Sequence, residues 1–69
     1  RDIEAYNNLG MALGSAGRVV EAAEAFREAV RLDPTAALAH ENLAVSLEDL
    51  GQINEARHHR TEAERLRSR

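Results

Sequence analysis

The side chains of this 69-residue chain that could carry chemistry are three histidines, twelve carboxylates and nine basic residues, every one of the nine an arginine. His40-Glu41 opens the pattern of the zinc hydrolases, His-Glu-x-x-His, but Ala44 stands where the second histidine must be. His58 and His59 are neighbours and diverge by about 100° on a helix. Each has a carboxylate at helical spacing, Glu62 for His58 and Glu55 for His59. One or two such ligands hold a metal weakly, so His58 and His59 read as surface groups on a polar face. There is no cysteine, which excludes disulfides and thiolate metal sites. No nucleophile, histidine and acid stand at a catalytic spacing. Gly10, Gly14 and Gly17 punctuate a helix and its turn, so they do not form a phosphate-cradling loop. The expectation is no enzyme, no cofactor and no metal.

Two other features point to binding. Asn8 and Asn42 lie 34 residues apart. A primary amide both donates and accepts, so it can bond a peptide backbone whatever the peptide's sequence. The charges are also unevenly spread. Residues 1–56 carry a net −6 and residues 57–69 a net +3, within an overall −3. The basic end (Arg57, Arg60, Arg65, Arg67, Arg69) suits a helix C-terminus, where carbonyls lack partners. It could also meet the acidic part of a second copy. Without interleaved aromatics it does not read as a nucleic-acid site. No apolar run is long enough to span a membrane and no signal peptide is visible, which favours the cytoplasm.

The elements that must position these residues follow from an internal repeat. Shifting the chain by 34 residues gives eleven identities, among them Asn8/Asn42, Leu9/Leu43, Leu13/Leu47, Gly17/Gly51, Glu21/Glu55, Ala22/Ala56 and Ala29/Ala63. Each copy reads as two helices. Ile3, Tyr6, Leu9, Gly10 and Leu13 step by three and four; Gly17 breaks the pattern. Val19, Ala22, Phe26, Ala29 and Val30 form a second stripe that Asp33-Pro34 ends. Leu38, Leu43, Leu47 and Leu50, then Gly51, then Ile53, Ala56, Ala63 and Leu66 repeat the scheme. Connections this short make neighbouring helices antiparallel. The spacing predicts an all-α chain of four helices with no strands. Gly17 and Gly51 suit turns with positive φ or no room for Cβ. Gly10 and the alanines suit close helix crossings. Asn54 is predicted to cap the fourth helix; Val20, its counterpart, cannot cap the second.

These residues resemble the tetratricopeptide repeat. The first copy, 3–36, carries Tyr6, Leu9-Gly10, Leu13, Gly17, Ala22, Phe26, Ala29 and Leu32-Asp33-Pro34. The second, 37–69, keeps Leu43-Ala44, Leu47, Gly51, Ala56, Ala63 and Leu66. It departs at His40, Arg60 and Ser68, where the pattern has two aromatics and a proline. In its last helix Phe26 has become Arg60, Val30 has become Glu64, and Ala23-Glu24-Ala25 has become Arg57-His58-His59. That resembles a closing repeat with a polar outer face. The opening helix has no such cover.

The resemblance implies two tandem helix–turn–helix units of an α-solenoid and a scaffold for protein–protein contacts. Its first helices would line a concave groove for a peptide or partner helix. Carried over by position, the candidate groove residues are Asn7, Asn8, Met11 and Ser15 from the first copy, with Glu4 and Gly14 beside them. The second copy supplies Glu41, Asn42, Val45, Glu48 and Asp49, with Leu38 beside them. The Asn8/Asn42 pair is similar to the asparagine ladder of the O-linked N-acetylglucosamine transferases. The carboxylate clamp of chaperone-binding members is absent, since Asn7 and Met11 stand where it needs cations. Glu41, Glu48 and Asp49 then favour a neutral or basic peptide over an acidic one. The alternatives are a structural closing or self-associating end of a longer array and an accessory domain of a larger enzyme.

Overall fold

A computed structural model describes residues 2–69. Four helices follow one another: α1 (Ile3–Ser15), α2 (Val19–Leu32), α3 (Ala37–Asp49) and α4 (Ile53–Arg67). Among the described residues there is no strand. α1 and α2 run antiparallel, Gly10 lying against Phe26 and Gly14 against Ala22. α3 and α4 do the same, with Glu41 meeting Arg67 and Glu48 meeting Arg60. The four form a slab of 33 × 28 × 15 Å.

Both intra-repeat turns are closed by one device. Gly17 and Gly51 adopt φ of 81° and 80°. The residue after each glycine reaches back to a helix carbonyl, Arg18 N–H to Leu13 at 2.9 Å and Gln52 N–H to Leu47 at 2.8 Å. A left-handed residue is needed for that reach, and glycine takes it without a Cβ penalty. No atom lies within 4 Å of where a Cβ would stand at either position, so conformation and not crowding selects glycine. Between the repeats, the Asp33 carboxylate accepts from Thr35 N–H (3.0 Å) and Thr35 Oγ1 (2.7 Å), a side-chain turn that carries the chain through Pro34 into α3.

The core sits at the junction of the two repeats. Phe26, Ala22 and Ala23 of α2 pack on Leu43, Ala44 and Leu47 of α3 and Ala56 of α4, with Leu13, Val30 and Leu50 at the margin. Leu43 and Leu47 are the largest side chains wholly withdrawn from solvent. Ile53 is an exception to its helical stripe, being 50% exposed.

The predicted cap on α4 is corrected. Gln52 is the N-cap, and no side chain bonds the first turn. Ile53 already begins the helix, so Asn54 lies inside it, beyond the position from which an amide can reach back to a free N–H. α2 likewise starts without a side-chain cap, so the predicted difference between the two starts is absent. α1 does have one: Asp2 accepts from Glu4 N–H at 3.0 Å.

Candidate concave binding site

α1 and α3 lie side by side and leave a depression of about 360 Å³ between them. Met11 and Ser15 project from α1; Asn42, Val45, Ser46 and Asp49 project from α3 at steps of three and four, one face of a helix. Gly10 and Gly14 open the α1 wall, and Phe26 and Val19 of α2 close it from below. Met11 is 54% exposed and Val45 48%, two apolar groups held in water at the rim. Asp49 and Ser15 make the far end polar.

Five of the nine candidate residues therefore come together here: Met11, Ser15, Asn42, Val45 and Asp49. Asn7, Asn8, Glu41 and Glu48 do not line the depression. Asn8 is exposed on α1 outside it. Asn42 is half-buried, and among the described residues its Nδ2 is one of two buried side-chain polar atoms without a hydrogen-bond partner, the other being Asn7 Oδ1. Spacing alone had the signal for Ser46, which follows Asn42 by four. Val19 and Phe26 come from a second helix, and only the packed structure brings them to this face.

The acidity expected of the α3 side is largely neutralised within the molecule. Arg67 donates two hydrogen bonds to Glu41, at 2.7 and 2.8 Å. Arg60 donates two to Glu48, at 2.8 and 3.2 Å. The Arg67 hydrogen bonds hold the Glu41 carboxyl below its ordinary range. Asp49 alone of the three acids lines the depression. The basic end is likewise partly spent: Arg60 and Arg67 fold onto α3, and Arg65 pairs with Glu62.

His59 departs from the surface reading: it is half-buried beside His40, the counterpart of Tyr6. His40 is only 5% exposed. Its Nε2 lies 2.8 Å from the Pro34 carbonyl and its Nδ1 3.0 Å from Nδ1 of His59. A carbonyl only accepts, so His40 carries its proton on Nε2 and offers the Nδ1 lone pair. His59 Nδ1–H must then be the donor. His59 Nε2 faces Glu55 at 3.8 Å, and Glu55 is held in turn by Arg27 of α2. The pair replaces Tyr6 and Ala25 of the first repeat, one large and one small residue exchanged for two rings stacked 5.2 Å apart. Only His58 remains exposed. Among the described residues no three histidine, aspartate or glutamate side chains gather as metal ligands, and no helix is long and apolar enough to cross a membrane.

This pairing predicts acid sensitivity near neutrality. Burial first, then His40 and His58, lowers the His59 pKa; Arg27 adds to this and Glu55 opposes it. The folded state thus binds fewer protons than the unfolded chain once pH falls toward the ordinary histidine value of about 6.5. The contribution is complete above that value and is lost as pH drops through it and below. The Tm at pH 5.5 is expected below that at pH 7.5. The double substitution His40→Tyr, His59→Ala, which restores the first repeat's pair, is expected to flatten that slope. An unchanged slope in the double variant would place the effect outside this pair.

The comparisons with known proteins agree with this architecture. Tetratricopeptide repeat profiles match residues 3–36 and 25–58. The peroxisomal targeting signal receptor of Eremothecium gossypii is 41% identical over 54 residues, 78% of this chain and 10% of the receptor. Among solved structures, MamA MSR-1 C2 superposes with a TM-score of 0.89 at 33% identity, covering 97% of this chain and 38% of that one. A MamA mutant gives 0.88 at 34% identity, covering 94% and 47%. The chain thus spans a tenth of the receptor and less than half of either MamA chain. Repeats of this class are scaffolds for protein–protein interaction. With two profile matches spanning residues 3–58 and the fold shared with MamA, the chain belongs to the tetratricopeptide repeat family.

Proposed function

We propose that the chain is a peptide-binding scaffold module whose depression between α1 and α3 receives a segment of a partner protein. The observation that carries this reading is the pairing of two solvent-held apolar groups, Met11 and Val45, with an under-used amide, Asn42, on the walls of one concavity. An apolar ligand side chain between Met11 and Val45 would remove apolar surface from water. A backbone carbonyl of the ligand would give Asn42 Nδ2 the acceptor it lacks, through rotation of the amide. The receptor relative, named for recognising a targeting signal, supports peptide binding as the mode. With Glu41 and Glu48 already paired, charge selectivity rests on Asp49, which favours a neutral ligand or one with a single basic residue at that end. Asn8 would contact a ligand only where it extends beyond the depression.

The test is panning of a random peptide display library, with Val45→Arg and Asn42→Ala chains screened in parallel. The expected result is one enriched motif with a bulky neutral residue, lost with Val45→Arg. Asn42→Ala should weaken it about tenfold, the value of one hydrogen bond to an otherwise unpaired group at ~1.4 kcal/mol. Absence of enrichment from a chain with native circular dichroism would reject the reading. A second reading, a closing unit of a helical stack, is favoured by one observation: α4 presents Arg57 and Glu64 where α2 presents Ala23 and Val30.

A further inference from the structure

Two imidazole nitrogens that face each other repel unless something positive lies between them. Nδ1 of His40 on α3 and Nδ1 of His59 on α4 are 3.0 Å apart, and one proton, on His59, bridges them. The outer nitrogen of each ring is also directed. His40 Nε2 lies 2.8 Å from the Pro34 carbonyl. His59 Nε2 lies 3.8 Å from the Glu55 carboxylate, which Arg27 of α2 holds in place. A carbonyl behind one ring and a carboxylate behind the other is the support that metal-ligating histidines receive. It fixes each ring and leaves the inner lone pair free to coordinate.

We propose that His40 and His59 form a binding site for one divalent transition-metal ion, Cu²⁺ above others, which ties α3 to α4. Two imidazole nitrogens each about 2.0–2.1 Å from an ion stand about 2.9 Å apart at a right angle and about 3.3 Å apart at a tetrahedral one. The 3.0 Å found here is nearer the right angle, the arrangement Cu²⁺ takes with nitrogen ligands. The ion sits beside the line joining the two nitrogens, and a tilt of each ring aims its lone pair there. His59 changes tautomer as the ion enters. Its proton leaves Nδ1, and one is taken up at Nε2, where the new N–H faces Glu55. The imidazole stays neutral and no net proton is released. Water completes the coordination, since no third histidine, aspartate or glutamate converges among the described residues.

Two ligands bind weakly when they must be ordered first. Here both rings are already held, from two different helices, by the Pro34 carbonyl and by packing. His40 is 5% exposed. His59 borders a shallow groove of about 250 Å³ with Arg27, Val30, Arg31 and Leu43, which gives the ion a way in. The two arginines do not bar it as free cations, because Arg27 pairs with Glu55 and Arg31 with Glu28. The first repeat has Tyr6 and Ala25 at the matching positions, so it lacks the pair. Neither histidine lines the depression between α1 and α3, and the site is independent of peptide binding.

The test titrates Cu²⁺ into the native chain in a buffer that does not chelate it. The expected result is one ion per chain, with an electron paramagnetic resonance spectrum split by two imidazole nitrogens. The Tm should rise by about 10 °C or more when free Cu²⁺ stands a hundredfold above the Kd. His40→Tyr with His59→Ala, which restores the first repeat's pair, should weaken binding by at least about a hundredfold, more than loss of an outer partner costs. His58→Asn should bind as the native chain does. If circular dichroism shows the double variant unfolded, His59→Gln replaces it, with the same loss expected. A spectrum with one nitrogen or none, undiminished affinity in the variant that lacks the pair, or an equal loss in His58→Asn would each overturn the proposal. So would no binding at millimolar Cu²⁺, or a Tm that bound Cu²⁺ leaves unchanged.

Discussion

Replacing Leu47 with alanine is expected to remove a large share of the chain's stability. Leu47 is 0% exposed and lies at the junction where α2, α3 and α4 meet. Truncating a buried leucine costs about 2–5 kcal/mol, the lost transfer energy plus the cavity left behind. A domain of this size holds roughly 3–10 kcal/mol in total, at ~0.05–0.15 kcal/mol per residue. The Tm is expected to fall by about 10 °C or more, since each kcal/mol moves it by about 4–8 °C at this length. Thermal denaturation followed by circular dichroism measures it. The repeat supplies an internal control. Leu13 holds the same position in the first copy but is half-buried, and Leu13→Ala is expected to cost distinctly less. Equal losses would mean that the junction is not where the stability resides.

That asymmetry between equivalent leucines shows where the sequence could be read and where it could not. Helix number and order followed from the spacing of Leu9, Leu13, Leu43 and Leu47 and from the breaks at Gly17, Pro34 and Gly51, because helical period and backbone freedom are local properties. The contacts across helices were not local. Arg67 with Glu41 and Arg60 with Glu48 depend on the register of α4 against α3, which no period encodes. The result was an acidic wall expected from three carboxylates and found to rest on Asp49. The histidine pair left a faint trace. Tyr6 and Ala25 both became histidine at the matching positions of the second repeat, a coupled exchange between residues 19 apart. In the depression, the first-helix residues at steps of three and four were legible. Phe26 and Val19 were not, because they reach it from behind.

Phe26 also makes the second large prediction, at Gly10. A Cβ built there stands 2.5 Å from Cε1 and 2.7 Å from Cδ1 and Cζ of the Phe26 ring. The ring is 5% exposed and packed against the α3 core, so it cannot swing clear. Gly10→Val is expected to cost about 1–3 kcal/mol, the usual cost of forcing methyl groups into a filled core. Gly14, one turn on, is the contrast. Its Cβ would meet only Ala22 Cβ at 3.9 Å, an ordinary contact. Removing a helical glycine there gains up to ~1 kcal/mol, so Gly14→Ala is expected to raise the Tm while Gly10→Val lowers it. Both residues line the depression, which gives the pair a second use. A displaced Phe26 ring would deform the floor, and an added methyl at Gly14 would narrow the wall. Peptide affinity is therefore expected to fall in both, with stability moving in opposite directions. If affinity instead followed stability, rising with Gly14→Ala, the ligand would lie elsewhere on the chain. If Gly10→Val melted with the native chain, the close approach of α1 to Phe26 would be wrong, and with it the shape of the depression.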